Sequence, residues 1–204
     1  MYSALADYYD MVVLRWSGAR SAASFYVDQL PIARNEKIHV LDIGCGTGLY
    51  ALAVLRRFPN AHVVAFDSNA AMCETLRRKL YEQGFESRAQ VVVADMATPI
   101  PALAGMQFDL MIASGVLEYG NLESILNNLM PYLTQDGMFF DAAIQDSFLG
   151  RLLAAFWGCK PMDRTYLINT FERNRCQALS LMQLPESYIL LRFMKEGHLF
   201  KRTG

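Results

Sequence analysis

An apolar run that breaks straight into alternating glycines most constrains this chain: His39-Val40-Leu41-Asp42-Ile43 is followed at once by Gly44-Cys45-Gly46-Thr47-Gly48. The first half reads as a buried strand, and a helix-forming stretch, Tyr50 to Arg57, begins just after the last glycine. Glycine at every second position suits close approach of a ligand to the backbone. Side chains at Gly44, Gly46 and Gly48 would block that approach, and exposed loop N–H groups would sit where the helix begins. A merely tight turn needs only one or two of these glycines. Two other ligand loops fail on spacing. A nicotinamide-dinucleotide fingerprint reads G-x-G-x-x-G, whereas the glycines here fall at 44, 46 and 48 and Leu49 comes next. A triphosphate-binding loop would be followed by Lys-Ser or Lys-Thr, and neither pair is there.

The rest of the chain repeats the strand-then-helix order. Ile38 to Ile43, Ala61 to Phe66, Val91 to Ala94, Phe108 to Ala113 and Gly137 to Ile144 are short, nearly continuous apolar runs, as expected of strands covered on both faces. Between them lie helical stretches at Tyr50 to Arg57, Ala70 to Gln83 and Leu122 to Leu133, the last stopped by Gln135-Asp136-Gly137. Such alternation gives βαβ units with right-handed crossovers and a parallel sheet. Further on, Phe148, Leu149, Leu152, Leu153 and Phe156 share one helical face, and Asn169-x-x-Glu172 has the form of a capping box opening a helix through about Met182. Ser187 to Phe193 and His198 to Arg202 then read as strands around a Lys195-Glu196-Gly197 turn, a closing antiparallel hairpin.

With its neighbours, Val40-Leu41-Asp42-Ile43-Gly44-Cys45-Gly46-Thr47-Gly48 resembles the first motif of the class I S-adenosylmethionine-dependent methyltransferases. The resemblance continues in order through Val63-Val64-Ala65-Phe66-Asp67, Val92-Val93-Ala94-Asp95-Met96 and the Phe108 to Tyr119 segment. It implies an α/β, Rossmann-like fold: a mostly parallel seven-stranded sheet with a C-terminal antiparallel hairpin and helices on both faces. One domain over 1–204 is expected, with an N-terminal helical lid or cap over 1–35, a cofactor-binding core over 36–145, and helices plus hairpin over 146–204. It also implies S-adenosyl-L-methionine as cofactor and S-adenosyl-L-homocysteine as product.

Asp67 would then accept hydrogen bonds from both ribose hydroxyls, one for each carboxylate oxygen. Capping the helix near Ala70 is its plainer role, although Ser68 and Asn69 could cap equally well. Asp95 and the backbone of Met96 would meet the adenine amine and ring, against the plainer readings of a turn before Thr98-Pro99 and a core methionine. Asp42 would organise the loop and approach the cofactor's amino group, and Cys45 fits as a small residue between glycines. Ser68 and Ser114 complete the expected cofactor contacts.

Reacting groups should meet where the fourth strand ends, at Ser114-Gly115-Val116-Leu117-Glu118-Tyr119, because open α/β sheets bind ligands at their strands' carboxyl ends. The Asn/Asp-Pro-Pro-Tyr/Phe pattern of methyltransferases acting on amide or nucleobase amines is missing from this position. Glu118 and Tyr119 are the candidate catalytic residues, with a solvated first-turn position as the alternative for Glu118. His198 reads as an exposed hairpin residue. Tyr9 and Trp16 belong to an aromatic N-terminal cluster that either covers the site as a lid or packs on the sheet. The acceptor pocket is expected from the N-terminal helices and the Asp146 to Thr170 segment.

Composition narrows the partners. Lys plus Arg number 19 against 20 Asp plus Glu, so no broad basic field favours nucleic acid, and a small-molecule acceptor is expected. The 53% hydrophobic and 19% charged content excludes a mainly disordered chain. No apolar run reaches membrane-spanning length, and Met1 to Asp10 lacks the form of a secretory signal, which makes the cytoplasm the expected location. The four cysteines and three histidines are too scattered for a zinc or disulfide framework, so no metal is expected. Two other readings stay open: a catalytically inactive partner subunit of the same fold, and a protein or RNA methyltransferase.

Overall fold

The computed structural model describes residues 18–204. Seven strands form one sheet in the order β3-β2-β1-β4-β5-β7-β6: β1 is His39–Ile43, β2 His62–Asp67, β3 Ala89–Val93, β4 Phe108–Ser114, β5 Leu133–Ala142, β6 Cys176–Gln183 and β7 Glu196–Arg202. The first five pair in parallel, while β7 runs antiparallel between β5 and β6. Among the described residues six α-helices accompany them: α1 Ala19–Asp28, α2 Leu49–Arg57, α3 Ala70–Glu82, α4 Leu122–Leu129, α5 Phe148–Trp157 and α6 Arg164–Arg173. No described helix is long and apolar enough to cross a membrane.

Period-two alternation along the strands splits the core into two clusters. Val40, Ile112 and Phe140 face α1 and α2, whereas Leu41, Met111 and Phe139 face α4 and α6. On the first face α1 buries Ala22, Ala23, Tyr26 and Val27, a spacing that puts one stripe against the sheet. Tyr26 packs 5.2 Å from the Phe140 ring, and its hydroxyl donates to the Met194 carbonyl. This part of the expected N-terminal cap is therefore integral to the core. Tyr9 and Trp16 lie outside the described residues.

Two C-terminal expectations are overturned. The helix expected through Met182 begins instead at Arg164, where Asp163 accepts from the Tyr166 N–H as its cap, and ends at Arg173, after which Arg175 turns left-handed at φ 59°. Asn169 and Glu172 lie inside that helix rather than opening one, and Cys176–Gln183 is strand β6. Ser187 to Phe193 is not the hairpin's first arm: Ile189–Met194 is a 3-10 helix, and Glu196 and Gly197 belong to β7. Both edges of β7 are already taken by β5 and β6, so the apolar 189–191 run has no place beside it and buries only Leu191. Gln135-Asp136-Gly137 falls within β5, with Asp136 at φ 70° where the register against β4 shifts.

Candidate functional site

The glycine loop joins β1 to α2 at the sheet's carboxyl rim, and all three of its glycines are left-handed, with φ of 60°, 51° and 91° at Gly44, Gly46 and Gly48. They do different work. A Cβ on Gly44 would lie 2.2 Å from Val116, and one on Gly48 would lie 2.2 Å from Leu76, so these two admit neighbouring side chains to the loop. A Cβ on Gly46 would meet nothing within 4 Å among the described residues. Of the three, Gly46 alone has, among the described residues, the open space that a ligand-facing glycine requires.

The loop's amides are largely spent inside the protein. Cys45 N–H donates to the Phe66 carbonyl, Gly46 N–H to Asp67 Oδ2 at 2.9 Å and Gly48 N–H to the Cys45 carbonyl. The expectation of exposed loop donors fails at these three. Such a loop offers a ligand shape and neighbouring acceptors rather than the open amide cradle that binds phosphate.

Asp42 explains how α2 starts without a capping side chain of its own. Its N-cap is Gly48, and Asp42 reaches from β1 so that Oδ2 accepts the Ala51 N–H at 2.9 Å, the third amide of the helix. Burial pushes the Asp42 carboxyl up to about 7; the Ala51 bond opposes this and nearby Asp67 reinforces it. Asp67 is not the cap of α3. Asn69 caps that helix, accepting from Ala71, while Asp67 Oδ1 accepts the Asn69 N–H at 2.8 Å. Each Asp67 oxygen therefore holds one backbone donor and keeps a further lone pair. Ser68 is exposed, Cys45 is buried, and its sulfur lies 3.6 Å from the Gly46 carbonyl.

Asp95 is exposed and forms a turn: its Oδ1 accepts from Ala97 N–H at 2.9 Å, and its carbonyl from Thr98. Met96 packs partly buried against the second core cluster. Ser114, at the end of β4, sits beside the buried Tyr50, and Gly115 N–H donates to the Ala142 carbonyl.

Past β4, a 3-10 turn spans Leu117–Tyr119. Glu118 is not a solvated turn residue: it is 4% exposed, and its Oε1 accepts from the Ile144 N–H. Burial pushes its carboxyl up to about 7. Tyr119 is exposed. A cavity of about 550 Å³ lies between this turn and the chain after α5, lined by Glu118, Tyr119, Cys159, Lys160, Asp163 and Tyr166 among others.

One residue here escaped sequence reading, and another was read with the wrong exposure. Asp141 on β5 is fully buried, and His198, expected to be exposed, is 7% exposed on β7 as its cross-strand neighbour. A visible signal for Asp141 is one acidic residue inside the apolar run Phe139-Phe140-Asp141-Ala142-Ala143.

A mostly parallel sheet, a glycine loop after β1 and a carboxylate closing β2 define a nucleotide-type α/β binding fold. Residues 40–137 match the family described as methyltransferase domain. The chain is 28% identical to malonyl-[acyl-carrier protein] O-methyltransferase of Acetivibrio thermocellus over 58% of its own length and 40% of that protein's. It is 35% identical to trans-aconitate 2-methyltransferase of Paracidovorax citrulli over 49% of its length and 36% of the relative's. These matches span less than half of either relative. In fold, it resembles geranyl diphosphate C-methyltransferase from Streptomyces coelicolor A3(2), with TM-score 0.74, 16% identity and coverage of 90% and 79% of the two chains. These matches support a resemblance to the class I S-adenosylmethionine-dependent methyltransferases, the family segment covering just under half of the chain.

Proposed function

We propose that this chain transfers the methyl group of S-adenosylmethionine to an oxygen, nitrogen or carbon nucleophile of a small molecule. The observation that carries the reading is the open space at Gly46 beside the Asp67 carboxylate. The residues fit the cofactor: Gly46 leaves room for a nucleoside, and each Asp67 oxygen retains acceptor capacity for a ribose hydroxyl. A loop whose amides are internally bonded also suits a ligand without phosphate. Asp95 Oδ2 and the Met96 backbone are placed in this reading against the adenine, with Asp42, Gly44, Cys45, Gly48, Ser68 and Ser114 shaping the surroundings.

When bound, the sulfonium supplies an already activated methyl group. The protein's own task is then to hold the acceptor in line with it and exclude water. Malonyl-acyl-carrier-protein and trans-aconitate methyltransferases among the relatives support a small or carrier-borne acceptor. Titration calorimetry tests the cofactor: S-adenosylhomocysteine should bind and NAD should give no heat, and the reverse pattern would overturn the reading. A second reading, a methyltransferase-fold partner subunit, draws on the outer face of α5, where Phe148 and Phe156 are 88% and 83% exposed. It requires a stable hetero-complex together with loss of S-adenosylhomocysteine binding.

A further inference from the structure

Five buried side-chain polar atoms have no hydrogen-bond partner among the described residues, and all belong to three residues: Glu118 Oε2, both oxygens of Asp141 and both ring nitrogens of His198. A buried polar group without a partner destabilises the fold, so three of them gathered at one end of the sheet call for a function. They converge from three elements. Asp141 and His198 pair across β5 and β7, and Glu118 follows β4 and is the charged group acting on Asp141. Glu118 also forms part of the wall of the 550 Å³ cavity.

We propose that Glu118, at the cavity wall and beside the buried Asp141–His198 pair, is the proton acceptor of the acceptor site, and that the site takes an uncharged acceptor whose reacting atom carries a hydrogen, such as a phenol or enol. This rests on the methyltransferase reading. In the step, a lone pair of the acceptor oxygen forms the bond to the methyl carbon, and the carbon–sulfur pair leaves with the sulfur. The O–H pair stays on the oxygen while its proton passes to Glu118 Oε2. Atoms and charge balance with S-adenosylmethionine as the only co-reactant.

The geometry distributes the roles. Ile144 N–H anchors Glu118 Oε1, while Oε2 is buried and has no hydrogen-bond partner among the described residues. Two neighbouring carboxyls favour sharing one proton over both ionising, and Asp141, fully buried and repelled by Glu118, is held well above the ordinary carboxylate range. Asp141 thus keeps its proton as a donor while Glu118 ionises first, near 7. Burial lowers His198, leaving a neutral ring with one donor and one acceptor.

The other charged or titratable groups around the cluster are Cys159 beside Glu118, Tyr50 beside Asp141, and Glu196 and Arg164 beside His198. A carboxylate acceptor would set a further negative charge against two carboxyls. Lys160 at the cavity is exposed, so solvent screens what it could offset at the reacting end.

Saturation-transfer NMR on the full chain loaded with S-adenosylhomocysteine, using ring-matched probes (phenol against benzoate, 1-naphthol against 1-naphthoate), tests the proposal. The phenols should contact the protein more strongly at pH 8 than at pH 6, and the carboxylates should not. Glu118→Gln should abolish the pH dependence, keep S-adenosylhomocysteine affinity within twofold, and lower methyl transfer to any turned-over phenol at least a hundredfold. Infrared spectra of the unliganded protein at pH 7 should show protonated-carboxyl C=O absorption that Asp141→Asn diminishes, a readout independent of turnover. Carboxylates binding as well as phenols, no probe binding, or a missing acid band would overturn the acceptor assignment. Failure of wild-type S-adenosylhomocysteine binding would instead strike the methyltransferase reading and leave the acid band standing.

Discussion

On the β1–β2 side of the carboxyl rim, carboxylates are bonded to the backbone. Asp42 holds the amide of Ala51, and Asp67 holds those of Gly46 and Asn69. On the β4–β5–β7 side, the side chains of Asp141 and His198 have no hydrogen bond among the described residues, with Glu196 Oε2 3.9 Å from His198 Nε2, and Glu118 uses one oxygen of two. The first side is a finished scaffold in which the groups proposed to bind the cofactor also hold the loop. The second carries polar groups whose cost to stability is unrelieved by the fold itself. A site that shapes a loop must be satisfied before the ligand arrives, whereas one that accepts a proton must keep a lone pair free.

The largest effect should separate the glycines within the finished side. Gly48→Ala would force a methyl into Leu76 at a left-handed position, so a loss of about 3 kcal/mol in unfolding free energy is expected. Gly46→Ala meets open space and should cost only the backbone strain, about 1 kcal/mol, while lowering S-adenosylhomocysteine affinity more than tenfold. Denaturant melts with calorimetry distinguish the pair. Equal stability losses would mean that Gly46 is also a packing glycine.

The unsatisfied side should reveal itself through pH. An ordinary glutamate loses its proton near 4.3, but Glu118 in the folded chain holds it up to about 7. Over that window the folded state binds more protons than the unfolded state. The contribution of Glu118 to stability is therefore full at acid pH and declines as pH rises, by about 3 kcal/mol across the window. Glu118→Gln should flatten unfolding free energy between pH 5 and 8 by that order relative to wild type. An unchanged slope would place this carboxyl among ordinary solvated ones.

How legible each side was follows from the same contrast. The loop could be read because its constraints are local: left-handed backbone demands glycine at 44, 46 and 48 whatever the tertiary setting. The sharing of work among those glycines was hidden, because Val116 and Leu76 reach them from distant elements. The five parallel strands were visible as apolar runs, with ends shifted by a few residues. β6 was missed because it is an edge strand with mostly exposed side chains, so its sequence lacks the continuous apolar signal that identified the others. Asp141 and His198 meet only through an antiparallel pairing of β5 with β7, a register that no short motif encodes.

A moderate effect is expected at Asp67. Asp67→Asn keeps one carbonyl oxygen and replaces the other acceptor by a donor, so either the Gly46 or the Asn69 amide loses its partner and the ribose loses an acceptor. S-adenosylhomocysteine affinity should fall by about 2 kcal/mol, roughly thirtyfold, with about 1 kcal/mol of stability lost alongside. Unchanged affinity with lost stability would reduce Asp67 to a structural tie.

The smallest effect, at Asp95, separates two roles that one side chain can hold together. Its Oδ1 already accepts the Ala97 N–H and so closes a turn, a task asparagine performs equally well through its own carbonyl oxygen. The other oxygen is the one available to an adenine amine. Asp95→Asn therefore leaves the turn intact and presents a donor to a donor, which should cost about 1 kcal/mol of S-adenosylhomocysteine affinity with no change in melting temperature. Asp95→Ala removes both functions and should lower the two quantities together. If the asparagine variant binds S-adenosylhomocysteine as the wild type does while the alanine variant loses stability alone, Asp95 is a turn residue and the adenine is recognised by other groups.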